Sequence, residues 1–148
     1  MFELHPQLAQ DTVTIGDFPL CRLLLCNDSS YPWFILVPRR SQVREIFELE
    51  ENDQRQLLKE SSQLSQVLVK IFQADKLNVA ALGNMVPQLH IHHIVRYQND
   101  LAWPKPVWGL FPAQAYNERA LLDVCGNVSA LLTDFTPDSN GVLAPRVC

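Results

Sequence analysis

Three of the four histidines in this chain of 148 residues fall within one short run, QLHIHHIVR at positions 88–96. We interpret this run as part of a β-strand over residues 87–97, on which successive side chains point to opposite faces of a sheet. Gln88, His90 and His92 then share one face, and the aliphatic residues between them take the other. A neutral imidazole can attack phosphorus, and a protonated one can hold phosphate oxygens or protonate a leaving group. The pattern therefore predicts chemistry on a negatively charged group rather than packing.

Two other interpretations of the His-x-His pair have less support in this sequence. A catalytic zinc site usually has three protein ligands, whereas His90 and His92 supply two on one face and His93 points to the other. The four cysteines form no CxxC pair and no metal-site spacing, so we predict no metal site. The second alternative is that the histidines are core-edge residues bonded only to the backbone. Three polar side chains aimed together would be costly without a purpose, which disfavours that alternative.

Length and composition fit one globular domain. With 47% hydrophobic and 19% charged residues, the chain is long enough for a core of its own. We predict a domain over residues 1–132 and a loosely held C-terminal tail over residues 133–148. The net charge of −4 argues against binding to a nucleic acid polymer, which needs a basic surface. Because the sequence shows neither a signal peptide nor an apolar stretch of membrane-spanning length, we expect a cytoplasmic protein without membrane contact.

Residue patterns predict a sheet and two helices. Apolar runs bounded by turn residues indicate five strands, at residues 12–17, 19–26, 33–37, 77–82 and 87–97. Acidic residues in a first turn, followed by apolar residues at helical spacing, predict a long helix over 49–74, and a second helix covers 113–132. An irregular, proline-containing segment with Trp103 and Trp108 precedes the second helix. We interpret these tryptophans as packed against the domain, with contact to a ligand as the alternative.

The histidine run and its surroundings resemble a known family. Residues 83–96 are similar to the motif His-φ-His-φ-His-φ-φ, with φ apolar, of the histidine triad (HIT) superfamily of nucleotide hydrolases and transferases. The segment 33–40 looks like the family's strand that ends in Pro-Lys or Pro-Arg, and the long helix falls where the family has its own. The resemblance covers residues 19–96. It implies an α+β fold with an antiparallel five-stranded meander sheet, a long central helix and a C-terminal helix.

This resemblance assigns roles to the residues of the motif. The family's middle histidine is the nucleophile that attacks the α-phosphorus of a nucleotide, and that position is His90 here. His92 corresponds to the third histidine, which contacts phosphate oxygens. Gln88 stands where the first histidine is usual; its amide can orient and hydrogen-bond, but it cannot change charge. Asn84 takes the place of a phosphate-contacting glutamine and is shorter by one methylene.

Four further residues are candidates for contact with the nucleotide. By resemblance, base and ribose lie in a cleft reached from the first strands, where Asn27 and Asp28 follow the second strand. An aspartate can accept hydrogen bonds from ribose hydroxyls. Asn-Asp-Ser-Ser is equally a turn sequence in any protein, so the residues alone leave both interpretations open. Arg39 and Arg96 could lend positive charge to a polyphosphate, and either could equally be a solvated residue at the end of a strand.

The resemblance implies a hydrolase that cleaves at the α-phosphate of dinucleoside polyphosphates, such as diadenosine tetraphosphate, or of related nucleotidyl compounds. The reaction would pass through a nucleotidyl-histidine intermediate. A nucleotidylyltransferase with the same nucleophile is one alternative, and a non-catalytic nucleotide-binding sensor is another, because glutamine replaces the first histidine. No cofactor is expected to be required, although a divalent cation could assist with a polyphosphate substrate. Many members of the family are homodimers, so the resemblance also implies a homodimer.

Overall fold

A single antiparallel sheet organises the computed structural model, which describes residues 1–139. Its strands are β1 (Thr12–Asp17), β2 (Cys21–Cys26), β3 (Trp33–Pro38), β4 (Lys76–Ala80), β5 (Ile91–Arg96) and β6 (Thr136–Pro137). Their order across the sheet is β4-β5-β3-β2-β1-β6. Within the described range the helices are α1 (Pro6–Asp11), α2 (Glu51–Phe72) and α3 (Glu118–Leu131), with a 3-10 turn at Ile46–Glu48. None of these helices is long and apolar enough to cross a membrane.

The α+β fold class is confirmed, and the predicted elements differ from the observed ones mainly at their ends. The first three strands form the predicted meander, but β5 rather than β4 pairs with β3, so β4 lies at the edge. β5 begins at Ile91 instead of residue 87. α3 begins at Glu118 instead of residue 113, because the Asn117 side chain accepts a hydrogen bond from the amide of Ala120 and caps the helix there.

A sixth strand was not predicted. β6 comes from the segment that the sequence assigned to a tail, and it pairs with the end of β1. Gly16 permits this pairing, since a Cβ atom there would lie 2.4 Å from the carbonyl oxygen of Thr136. The rest of the predicted tail, from residue 140 onward, lies outside the described residues. The division into a domain and a tail therefore stays a prediction.

The long helix α2 follows from its own sequence. Glu51 and Asp53 occupy the first turn, where negative charge interacts favourably with the helix dipole. Leu64 and Leu68 are fully buried against the sheet, and burying one leucine completely contributes about 1.5–3 kcal/mol. The helix ends where Gln73 adopts a left-handed conformation with φ of 50°.

A buried carboxylate fastens α2 to the beginning of β2. Glu60 is 1% exposed. Its Oε2 accepts a hydrogen bond from the amide of Leu20 at 2.9 Å, and its Oε1 accepts one from the amide of Cys21 at 2.8 Å. The side chain of Gln56 donates a further bond to Oε2 at 2.7 Å. These bonds satisfy two main-chain donors that would otherwise be buried without partners.

The two faces of the sheet are covered differently. α2 and α3 pack on one face, where the larger apolar core lies. A smaller apolar cluster, which includes Leu8, Ile35 and Val86, covers part of the opposite face. His90 and His92 lie on this second side, with the same three apolar residues around one cavity.

Candidate functional site

A cavity of about 600 Å³ opens on the sheet face opposite α2. Its walls come from α1, from strands β1, β2, β3 and β5, and from the loops that contain residues 82–86, His90 and Trp108. The side chains that bring polar or aromatic groups to it include Gln7, Asp11, Thr12, Cys26, Trp33, Asn84, His90, His92 and Trp108. Two imidazoles and two indoles thus meet in one largely apolar space, which is where a nucleotide base and phosphate could be bound together.

His90 lies at the end of the loop that leads into β5 and is 7% exposed. Its Nδ1 is 2.6 Å from the main-chain oxygen of Gln88. A carbonyl oxygen only accepts hydrogen bonds, so Nδ1 carries the proton and donates it. In the neutral ring the lone pair is then on Nε2. This tautomer is the one that a nucleophile needs if Nε2 is to attack.

His92 lies beside it on β5, with the two ring centroids 4.9 Å apart. The indole nitrogen of Trp33 is 3.0 Å from Nδ1 of His92, and the ring of Trp108 is 5.2 Å away, edge-on. Burial lowers the pKa of His92 to about 4, and repulsion from His90 and then from His93 adds to that effect. His92 is therefore neutral at physiological pH.

His93 points to the opposite face, as the alternation of side chains along a strand predicts. It is fully buried beneath α2. Its Nδ1 donates to the carbonyl oxygen of Ile91 at 3.1 Å, and its Nε2 is 2.7 Å from the hydroxyl of Ser61, which donates to it. Burial lowers the pKa of His93 to about 4. It joins strand to helix and does not reach the cavity.

The structure corrects the prediction for Gln88, which does not share a strand face with the two histidines. Strand pairing begins only at Ile91, and the residue before Gln88 is a proline, which has no amide to donate. The side chain of Gln88 turns to the N-terminal segment instead. Its Oε1 accepts from the amide of His5 at 2.9 Å, and its Nε2 donates to the carbonyl oxygen of Glu3 at 2.8 Å. Its main-chain oxygen accepts the hydrogen bond from His90 Nδ1.

Asn84 lies where the sequence prediction needs it, in the wall of the same cavity as His90 and His92. The preceding residue, Gly83, has a φ of 75°, a conformation that glycine adopts without strain. The turn exposes the Asn84 side chain, so its amide is available to a ligand. Its contact with phosphate stays a prediction.

Asn27 and Asp28 are not brought to the cavity, and the turn interpretation of these residues is the one that the structure supports. Asn27 Oδ1 accepts from the amide of Tyr116 at 2.9 Å. Asp28, which is 6% exposed, uses Oδ1 to accept from the amides of Ser30 at 3.0 Å and Gln114 at 3.2 Å. Both side chains hold the segment that precedes α3, and their contact with a nucleotide stays a prediction.

Arg39 and Arg96 also form their hydrogen bonds and ion pairs outside the cavity. The Arg39 guanidinium donates to the carbonyl oxygens of Phe18 and Pro19 and lies 3.7 Å from Asp17. Arg96 is 1% exposed and forms a two-pronged ion pair with Asp100 at 2.8 and 3.1 Å. Arg39 does not line the cavity, and its contact with a phosphate stays a prediction. Along the described chain, no lysine or arginine lines the cavity.

Trp33 is the site residue that sequence reasoning missed. Its signal is the strand register: Ile35 of β3 pairs with His92 of β5, which makes Trp33 the diagonal neighbour of His92 on the same face. Trp108 also lines the cavity, so the ligand-contact alternative fits its position. Trp103 instead lies over the guanidinium of Arg96, 5.5 Å away, and is packed as the first interpretation expected.

Comparisons of sequence and of structure both match this chain to histidine triad proteins. The sequence profile of the HIT domain matches residues 7–99. A histidine triad protein from Marinobacter aquaeolei VT8 is 55% identical, with a TM-score of 0.87 over 89% of this chain and 96% of its own. One from Bradyrhizobium japonicum is 45% identical, with a TM-score of 0.87 over 88% and 97% of the two chains. A Hit-like protein from Bartonella henselae shares the fold at 16% identity and a TM-score of 0.61, covering 82% and 87%. Among curated protein sequences nothing matched.

Proposed function

This chain belongs to the histidine triad family, and on that premise we propose that it is a nucleotide hydrolase with His90 as its nucleophile. Membership in the family supports a nucleotide-binding hydrolase or transferase in general terms. The observation that carries the more specific proposal is the hydrogen bond from His90 Nδ1 to the Gln88 carbonyl oxygen at 2.6 Å. It leaves the Nε2 lone pair free in a cavity that also contains His92.

The reaction proceeds in two displacements at the α-phosphorus. His90 Nε2 attacks phosphorus, the bond from phosphorus to the leaving group breaks, and the leaving group departs with the electron pair. His92 and Asn84 hold the non-bridging oxygens, and one such preorganised donor is worth about 2.7–4 kcal/mol in comparable sites. Water then attacks the nucleotidyl-histidine, releases a nucleoside monophosphate and a proton, and restores the lone pair on His90.

The charged side chains around the cavity affect which leaving groups the site favours. Asp11 lines it, whereas no cationic side chain of residues 1–139 does. A polyphosphate chain would therefore enter with little of its charge balanced by the protein. We expect nucleotidyl compounds with one ionised phosphate, such as an adenosine phosphoramidate, to react faster than diadenosine tetraphosphate. Hydrolysis of the latter should depend on a divalent cation that neutralises the polyphosphate.

A product assay tests the proposal. Wild type, His90→Ala and the control His5→Ala, which changes a histidine outside the cavity, are incubated with diadenosine tetraphosphate, an adenosine phosphoramidate and a nucleotide sugar. We expect a nucleoside monophosphate from wild type and His5→Ala only. Wild type that binds nucleotides without turning over any of the three substrates would refute hydrolysis and favour the sensor. Transfer of the nucleotidyl group to added phosphate, faster than release to water, would favour the transferase.

We also propose a homodimer, formed through the edge strand β4 and α2. An apolar groove of about 580 Å³ runs between them, and Leu58 and Val79 beside it are 69% and 51% exposed. A second copy of the chain would cover these side chains and could pair with the free edge of β4. Sedimentation of Leu58→Glu should show a monomer, whereas Leu131→Glu, at a 44% exposed position on α3, should sediment like wild type. Equal sedimentation of both variants would rule out this face.

A further inference from the structure

The hydrogen bond between Trp33 and His92 determines which nitrogen of His92 carries a proton. An indole N–H donates and never accepts, so Trp33 Nε1, 3.0 Å from His92 Nδ1, requires Nδ1 to be unprotonated. The proton of neutral His92 is therefore on Nε2. His90 has the opposite arrangement, with its proton on Nδ1 and its lone pair on Nε2. At their Nε2 atoms, the two neighbouring imidazoles thus present one hydrogen-bond acceptor, on His90, and one donor, on His92.

We propose that Trp33 is the positioning residue of this triad, which fixes His92 as a neutral hydrogen-bond donor through Nε2. This inference rests on the proposed function, in which His92 holds a phosphate oxygen. The side chain of Gln88, at the position of the first triad histidine, is bonded to Glu3 and His5 and cannot do this. The main-chain oxygen of Gln88 orients His90, and the indole of Trp33 orients His92.

The surroundings of His92 fit a ring that stays neutral. It is flanked in sequence by His90, which precedes β5, and by His93 on β5, and the charged forms of both would repel a positive His92. From the other elements around the cavity, the titratable groups are Cys26 of β2 and Asp11 of α1. Burial raises the pKa of Cys26 to about 12, with Asp28 and Asp11 adding to the effect, so this thiol contributes no charge. Burial is the leading cause that keeps His92 uncharged, and the N–H of Trp33 occupies the nitrogen that would accept the second proton.

A role in packing alone is the competing explanation, because Trp33 also lies 5.8 Å from Trp108, ring to ring. The two roles differ in what the indole nitrogen does. Replacement of that N–H by sulfur, as in benzothienylalanine at position 33, keeps the shape of the ring and removes the donor. Trp33→Phe removes the donor and part of the ring. Trp108→Phe serves as the control for loss of indole volume beside His92 without loss of a bond to it.

The first measurement is a long-range ¹⁵N–¹H spectrum of the imidazoles, which reads tautomers directly and does not depend on turnover. Among the three histidines at positions 90–93 of the wild type, we expect His90 and His93 to be protonated on Nδ1 and His92 on Nε2. Trp108→Phe should preserve this pattern. The sulfur analogue and Trp33→Phe should give His92 a mixture of tautomers and a higher pKa. An unchanged Nε2–H tautomer of His92 in the sulfur analogue would overturn the proposal.

The second measurement is the pH profile of kcat/KM on whichever substrate turns over. Loss of the hydrogen-bond partner that orients a metal-binding histidine typically lowers activity by about 10–100-fold, and we take the same order of magnitude for His92. We expect the sulfur analogue to show a loss of that order at neutral pH and a new decline on the acid side. A profile that matches wild type in shape and height would assign Trp33 to packing. If no substrate turns over, the proposed function fails while the tautomer measurement still decides the role of Trp33.

Discussion

His93 and Ser61 offer a direct test of how a buried neutral histidine limits stability in acid. The folded protein holds His93 uncharged, because burial lowers its pKa from 6.5 to about 4. In the unfolded chain the same ring takes up a proton near its ordinary pKa. As the pH falls below about 6.5, the unfolded state is therefore stabilised by a proton that the folded state does not bind, and unfolding becomes easier. The effect levels off below about pH 4, where the folded protein takes up the proton too.

The size of the effect follows from the two pKa values. A shift from 6.5 to about 4 makes the free energy of unfolding fall by about 2 kcal/mol per histidine between pH 7 and pH 5. His92 has the same pKa of about 4, so wild type should lose about 4 kcal/mol over this interval. The double variant His93→Leu/Ser61→Ala should lose only about 2 kcal/mol, because His92 is then the one remaining histidine of this pair whose pKa is lowered to about 4. At pH 7 its free energy of unfolding should be lower than that of wild type by about 1 kcal/mol, because the bond between Ser61 and His93 loses both partners while the Ile91 carbonyl oxygen loses its donor.

Urea unfolding at pH 7 and pH 5 measures the difference. With a slope of about 2 kcal/mol per molar urea, a change of about 2 kcal/mol displaces the midpoint by about 1 M. The matched control is Ser61→Ala alone, which keeps the histidine and should retain the acid sensitivity of wild type. If the double variant loses as much stability as wild type between the two pH values, His93 is not a buried neutral group and the reasoning is refuted.

Substitutions at three further residues, with one control, test contacts outside the cavity. Arg96→Met should lower the free energy of unfolding in urea by about 3–5 kcal/mol, because it leaves Asp100 buried without its cation; Arg119→Met, at an exposed pair, should cost less than about 0.5 kcal/mol. Glu60→Gln should cost about 1–3 kcal/mol in the same assay, because an amide cannot accept from two main-chain N–H groups with both of its ends; an unchanged urea midpoint would contradict this. Gln88→Ala should lower the free energy of unfolding by about 1 kcal/mol and leave kcat/KM unchanged. A large loss of turnover would indicate that the Gln88 side chain takes part in the reaction.

The helix α2 and the first three strands could be predicted because their signals are local. Apolar spacing and an acidic first turn are complete within residues 49–74, and the structure differs from the prediction only at the two ends, Glu51 and Phe72. The start of β5 could not be predicted in this way. Residues 87–90 alternate like a strand, yet pairing begins at Ile91 because the preceding loop bonds to other parts of the chain, such as Val43 and Glu3. Alternation of polar and apolar residues indicates which side chains face the core, but not which residues pair in a strand. Leu89 is buried in the core although it lies outside any strand.

The same difference between local and long-range signals separates the residues of the candidate site. His90, His92 and Asn84 are close in sequence, so a motif could place them together. Trp33 is 59 residues from His92, and only the register of β3 against β5 brings its indole to the ring. Asn27 and Asp28 carried an ambiguous signal, since the same side chains suit a ribose or a turn. Their hydrogen bonds with the segment before α3, remote in sequence, decided in favour of the turn.

The replacement of the first triad histidine by glutamine is easier to understand once each orienting bond is assigned to its atom. A nucleophilic imidazole needs an acceptor at Nδ1, and a main-chain carbonyl supplies it whatever side chain the residue carries. An imidazole that donates to phosphate through Nε2 needs a donor at Nδ1, and here an indole from the next strand supplies it. Neither bond requires a histidine at position 88. The side chain there can therefore be used to hold the N-terminal segment, and a change of residue at that position is not by itself a sign that catalysis is lost.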